Sequence, residues 1–244
     1  MPGGRRAALE LGRRLRALAA EGFIIAGIGC ALFAVWTGWW TDVLARSDQR
    51  TMLAAIEPPL QHEPGAIRRS APPVVATPGD RSVFATMRVP RFGADYVRPI
   101  AEGVDRRTVL NTVGLGHYPG TALPGGAGNV AIAGHRVTYG RPLFDIAELE
   151  AGDPIIIRVV APEQGVDAWY VYRVTASRVV APTDVDVIAP VPTDPARAPM
   201  HDERLLTLTA CHPKWSAAER YVTQASFDFW MDAADGTPAE VVSR

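Results

Sequence analysis

Leu205-Leu206-Thr207-Leu208-Thr209-Ala210-Cys211 alternates a bulky apolar residue with threonine and stops at a thiol, followed at once by His212-Pro213. Period-two alternation over a run this short predicts a half-buried β-strand. Working outward, similar runs recur, separated by turn residues. They are Val83–Val89, Asn129–Ala133, Pro154–Val160, Trp169–Val174 with a β-branched extension through Val179-Val180, and Tyr221–Phe229. Gly-Pro and Gly-Asp signals punctuate them, as in Pro124-Gly125-Gly126 and Gly152-Asp153. Only Pro142–Leu149 and Glu102–Leu110 read as short helices. Many short strands with no intervening long helices predict an all-β barrel or sandwich and argue against a doubly wound βαβ sheet.

The N-terminus has a different character. Gly22–Trp40 holds 19 residues without a formal charge. As a helix rising about 1.5 Å per residue it nearly matches a hydrocarbon core of about 30 Å, and extension to Val43 and Leu44 completes a span over 22–44. Trp36, Trp39 and Trp40 gather at one end, where amphipathic rings prefer the interface. Five arginines between Arg5 and Arg16 precede the span, whereas Asp42 and Asp48 accompany Arg46 and Arg50 after it. The positive-inside rule then places residues 1–21 in the cytoplasm and the rest outside, anchored in the plasma membrane by one pass. The length of the apolar stretch and the lack of a small-x-small site after the tryptophans favour an uncleaved anchor over a signal peptide. Residues 45–80 are rich in proline and read as an extracellular tether, 81–232 as one folded domain, and 233–244 as a flexible tail.

The 244 residues carry 25 basic and 26 acidic side chains, a balance that selects against a nucleic-acid partner. Cys30 falls inside the apolar stretch and reads as a small apolar residue, so no disulfide is expected and Cys211 is left as a lone thiol at a strand end. His135 stands in a comparable place, after the apolar strand and Ala133-Gly134. Arg220 opens the last strand nine residues beyond Cys211, within reach of a turn that returns it to the thiol. A thiol nucleophile, a histidine acid/base and a guanidinium for developing oxyanion charge make an acyl-transfer set. His212 adjoins the thiol but points to the opposite face of an extended chain. The acidic pairs Asp184/Asp186 and Glu148/Glu150 read as solvated loop charges; no metal or other cofactor is expected.

These residues resemble the active-site signatures of the sortases, the membrane-anchored cysteine transpeptidases of Gram-positive bacteria: Thr207-Leu208-Thr209-Ala210-Cys211, the downstream Arg220, and Ala133-Gly134-His135-Arg136. Gly116-His117-Tyr118-Pro119-Gly120-Thr121, Pro124–Asn129 and Cys211–Ala217 extend the likeness, which is strongest to class E sortases of high-GC actinobacteria. Ala210 departs from the threonine or serine that many sortases carry before the cysteine, and no Asp-Pro-aromatic lid motif stands in the tether.

The resemblance implies a closed eight-stranded barrel with short helices, Cys211 as nucleophile, His135 as acid/base, and Arg220 as oxyanion and substrate ligand. His117, Tyr139, Thr209 and Ala210 are the expected substrate contacts, with Tyr139 either restricting the pocket or packing on the barrel rim and His117 either lining the site or capping a turn. The implied partners are secreted proteins with a C-terminal Leu-Ala-x-Thr-Gly-like signal and a peptidoglycan-precursor amine. Two alternatives stay open: a membrane-bound cysteine peptidase whose thioester is resolved by water, and a non-catalytic envelope-binding module.

Overall fold

The alternation that marks the Cys211 strand recurs around a closed sheet. The computed structural model describes residues 3–36, 41–57, 60, 63 and 65–242. Its strands are β1 (Val83–Arg88), β2 (Val97–Glu102), β3 (Leu115–His117), β4 (Gly128–Gly134), β5 (Pro154–Ala161), β6 (Val166–Val180), β7 (Arg204–His212) and β8 (Glu219–Asp232). They close into a barrel in the order β1-β2-β3-β4-β7-β8-β6-β5. Closure removes the exposed edges that an open sheet of this size would leave. The pairs β2–β3 and β4–β7 are parallel and the others antiparallel.

Inward-facing residues from every strand fill the barrel. Leu206, Leu208 and Ala210 from β7 meet Val130 and Ile132 from β4, Ile155, Ile157 and Val159 from β5, and Tyr170, Tyr172 and Val174 from β6. Because the side-chain period is two, a one-residue slip of β7 would exchange the two leucines for threonines in the core. The unbroken Ile155-Ile156-Ile157 run has its own reason: Ile156 lies on the outer face, buried with Trp169, Val171, Phe229 and Met231. A strand covered on both faces needs no alternation.

β2 and β3 carry no strong sequence signal. β2 contains Pro99 and begins with charged neighbours, and β3 is three residues long. The helical reading of Glu102–Leu110 narrows to a turn over Arg106–Leu110, capped by Asp105 Oδ1, which accepts from the backbone of Arg107 and Thr108. The other short helix is a single turn over Ile146–Glu148.

Two compact units divide the chain, Met1–Thr41 and Asp42–Arg244. The first holds α1 (Gly3–Val35), in which Glu10–Val35 is long and apolar enough to cross a membrane. Trp39 and Trp40 lie outside the described residues. Val43 and Leu44, assigned by sequence to the end of the span, belong instead to α2 (Thr41–Ile56), which packs on the barrel unit through buried Asp42, Ala45 and Gln49. Glu57, just past this helix, bonds Arg88 at 3.0 Å and lies 3.5 Å from Arg158.

Beyond the α2 helix, residues 65–79 of the Pro-rich segment form neither helix nor strand and lie along the barrel. Arg68 exchanges backbone hydrogen bonds with Trp230, the Trp230 indole donates to Ser70 O, Tyr170 donates its hydroxyl to Pro73 O, and Val75 is buried in the core. At the other terminus Thr237 is buried and bonds back to Glu63 and Gly65.

Candidate active site

Register brings the chemical residues together. In the β7–β8 pairing Cys211 stands directly opposite Arg220. Opposed residues on one face of an antiparallel pair have Cβ atoms about 5 Å apart. On the other side β4 and β7 run parallel, with Ala133 beside Thr209. His135 and Cys211 are each two residues further along, so both leave adjacent strand ends toward the same face. A groove of about 260 Å³ results, into which Cys211, His135, Arg220, Thr209, Tyr118 and Arg106 all open. Gly134 allows the close approach before His135: a Cβ there would lie 2.8 Å from Leu115 Cδ2 and 2.9 Å from Leu143 Cδ1.

The imidazole of His135 is held and tuned. Its Nε2 lies 2.8 Å from Asn111 Oδ1, and the ring sits 5.2 Å from that of Tyr139, tilted by 34°. Burial first, and then the positive charge of Arg106, push its pKa from 6.5 down to about 4. At neutral pH the ring is therefore uncharged. With its one hydrogen on Nε2 donated to Asn111, Nδ1 keeps a lone pair able to take a proton.

Arg220 donates through Nη1 to Ala217 O at 3.0 Å and Glu219 O at 2.9 Å. These backbone acceptors steady the guanidinium while its other N–H groups have no hydrogen-bond partner among the described residues. A fork held at one end and open at the other suits an oxygen in the groove. His212 faces elsewhere: its Nδ1 accepts from Arg136 Nη1 at 2.7 Å, and Arg136 also donates to Cys211 O at 3.4 Å. Arg136, nearly buried and 5.2 Å from the Tyr221 ring centre, thus straps the histidine strand to the cysteine strand.

The expected substrate contacts separate. Thr209 lines the groove, and its hydroxyl is 3.1 Å from that of Tyr118. Ala210 borders the groove but turns its side chain into the core. Tyr139 is absent from the groove wall and packs on His135. His117 is 1% exposed, with Nδ1 2.7 Å from Glu102 Oε2 and Nε2 2.9 Å from both Ala122 O and Thr121 Oγ1. Both its ring nitrogens are occupied inside the protein, and its neighbour Tyr118 takes the place at the groove. Asn111, Tyr118, Arg106 and Arg136 are the site residues that sequence reasoning missed. Tyr118 and Arg136 stand beside residues already singled out, a signal that could have found them. Asn111 and Arg106 lie on a turn without such a mark.

The Sortase domain family matches residues 87–228, the stretch that runs from β1 into β8 and holds the whole groove. The chain belongs to the sortase family. It is 33% identical over 230 residues to Sortase SrtE1 of Streptomyces coelicolor, covering 91% of this chain and 60% of that relative, so it spans less than two thirds of the relative's length. Among solved structures, the SrtA sortase from Actinomyces oris aligns with a TM-score of 0.66 at 36% identity, over 73% of this chain and 98% of its own. The crystal structure of Sortase E1 from Streptomyces coelicolor with a tripeptide in the active site aligns with a TM-score of 0.57 at 32% identity, over 66% and 96%. These similarities agree with the class E resemblance of the motifs.

Proposed function

We propose that the chain is a membrane-anchored cysteine transpeptidase that cleaves a Leu-Ala-x-Thr-Gly-like sorting signal between threonine and glycine and passes the protein to a peptidoglycan-precursor amine. The observation that carries this reading is the placement of Cys211 opposite Arg220 in one groove with a neutral, hydrogen-bonded His135. The reaction begins with transfer of the Cys211 thiol proton to Nδ1 of His135. The thiolate attacks the threonine carbonyl carbon, and the developing oxyanion accepts hydrogen bonds from the open N–H groups of Arg220. Negative charge on the sulfur offsets the positive charge of Arg106 and sustains the imidazolium that the resting site disfavours.

Collapse of the tetrahedral intermediate breaks the threonine–glycine C–N bond, and His135 returns its proton to the departing amine. A thioester to Cys211 remains. The acceptor amine then attacks it, losing a proton to His135; an amide forms and the thiol is regenerated. Splitting one acyl transfer into two covalent steps is the gain from the nucleophile. Thr209 and Tyr118 border the path of the signal backbone. The arginine-rich flank of α1 orients the anchor with its N-terminus in the cytoplasm and the barrel outside.

The test uses the full chain in detergent with a Leu-Ala-x-Thr-Gly peptide and an acceptor amine, followed by mass spectrometry. The expected products are an acyl adduct on Cys211 and the threonine–amine amide, both absent from Cys211→Ala. Release of the free acid despite saturating amine would replace transpeptidation with hydrolysis. No adduct across a panel of signals would favour a binding module.

A further inference from the structure

The loop that carries His135 out of β4 has a backbone unlike its surroundings. Tyr139, Gly140 and Arg141 all take positive φ, at 53°, 83° and 50°. Two of the three are non-glycine residues, for which this region is sparsely populated. Such a stretch persists only where other groups over-determine it. The groups that do so come from α2. Asp42 is 3% exposed; its Oδ1 accepts the Gly140 N–H at 2.9 Å and its Oδ2 pairs with Arg141 Nε at 2.6 Å. Gln49, also 3% exposed, donates from Nε2 to Tyr139 O at 3.4 Å. Its amide fills the space beside Gly140, where a Cβ would lie 2.9 Å from Gln49 Oε1. All three left-handed residues are therefore gripped by two buried side chains roughly two turns apart on one helix.

We propose that α2 is a positioning element of the active site, with Asp42 and Gln49 as positioning residues that hold the Tyr139–Arg141 backbone and, through the Tyr139 ring, the orientation of His135. The inference rests on His135 being the acid/base of the proposed transfer. Neither side chain lines the groove, so neither touches substrate; their effect passes through the loop. The helix that follows the apolar segment in the chain thus completes the site, and the catalytic unit begins at Asp42 rather than after the proline-rich stretch.

The full chain in detergent is assayed as wild type, Asp42→Ala, Asp42→Asn, Gln49→Ala and Glu57→Ala, reading kcat, KM, Tm and the His135 ring resonances by NMR. Glu57 anchors the far end of the same segment to Arg88 and Arg158, away from the groove. Asp42→Ala and Gln49→Ala are expected to lower kcat roughly tenfold with KM within about twofold, the scale of a slightly misplaced catalytic group. Both should move the His135 resonances. Asp42→Asn keeps an oxygen for the Gly140 N–H and restores most of kcat, and it serves if the alanine variant does not fold. Glu57→Ala is expected to lower Tm while leaving kcat and the resonances in place. If Asp42→Ala and Gln49→Ala behave as Glu57→Ala does, α2 is only structural and the proposal falls. A wild type that forms no acyl-enzyme would overturn the catalytic reading instead. The resonances, which need no substrate, would still decide the positioning.

Discussion

The two sides of the groove are built by different means. Cys211 and Arg220 stand on a β7–β8 ladder whose register runs without a shift from Leu205↔Ser226 to His212↔Glu219. Backbone hydrogen bonds and core leucines fix their relative position, and the acceptors that steady the Arg220 guanidinium, Ala217 O and Glu219 O, lie within three residues of it. His135 lies just past the end of β4, on a loop held by Asn111 at the ring, by Leu143 N–H on its carbonyl, and by Asp42 and Gln49 further along. Asp42 is 98 residues away from the Gly140 N–H it receives. Cys211 and Arg220 can share a rigid ladder because their register alone sets them side by side. A proton carrier needs an orientation that only distant side chains supply.

The largest break in this comparison is expected on the ladder side. Arg220→Ala removes the proposed oxyanion donor while sparing the backbone register, and kcat for acyl-enzyme formation should fall by about 10²–10³. Arg220→Lys keeps the charge without the fork and should recover only part of that loss. Single-turnover mass spectrometry of the Cys211 adduct measures both. Equal turnover by Arg220→Ala would remove the guanidinium from the mechanism.

On the loop side the effect of one support should be smaller. Asn111→Ala frees the His135 ring to rotate and to exchange tautomers. Loss of one hydrogen bond worth about 0.5–1.5 kcal/mol corresponds to a roughly two- to tenfold fall in kcat. Asn111→Asp should behave differently, because a carboxylate at 2.8 Å from Nε2 would raise the histidine pKa and favour the imidazolium. The two variants separate orientation from charge when kcat/KM is followed against pH.

The same contrast explains what the sequence reveals. Strand β7 is legible because Leu206, Leu208 and Ala210 alternate with Thr207, Thr209 and Cys211, and that period already places the thiol on the threonine face. The return of Arg220 beside it follows from a short loop between two such runs. β2 and β3 were not legible: Pro99 interrupts one, and the other is too short for a period to show. The role of α2 was equally hidden. Asp42 and Gln49 look like ordinary polar residues of a juxtamembrane segment, and only the tertiary packing buries them against the loop. His117 misleads for the opposite reason. It stands in a signature motif beside the groove residue Tyr118, yet strand alternation turns it inward to Glu102.

Arg106, which opens into the groove, offers a milder perturbation whose charge effect on His135 can be read from the pH profile. In the proposed transfer His135 must be unprotonated to take the thiol proton, so kcat/KM should fall on the acid side as pH drops toward the histidine pKa of about 4, well below the ordinary 6.5. Removing the positive charge with Arg106→Ala stabilises the imidazolium and raises that pKa. The acid limb should then move to higher pH, but only part of the way, because burial is the larger cause of the depression. Activity on the plateau should change little. An acid limb that does not move would assign the whole shift to burial.

His117→Phe should have the least effect on turnover and so marks the boundary of the site. The ring lies on β3, edge-on to Phe84, with no atom lining the groove. Replacing it with phenylalanine retains the aromatic packing but strands Glu102 Oε2 inside the protein. A buried acceptor left without its partner costs about 1–3 kcal/mol, and more if it carries charge. Thermal unfolding should report this as a lower Tm, while kcat and KM for the peptide stay near wild type. Glu102→Gln in the same background returns a neutral amide to the cavity and should recover part of the stability. If His117→Phe instead raised KM at unchanged Tm, the histidine would have to reach the bound signal. The buried β3 network would then belong with the His135 loop as a region placed by function as well as by packing.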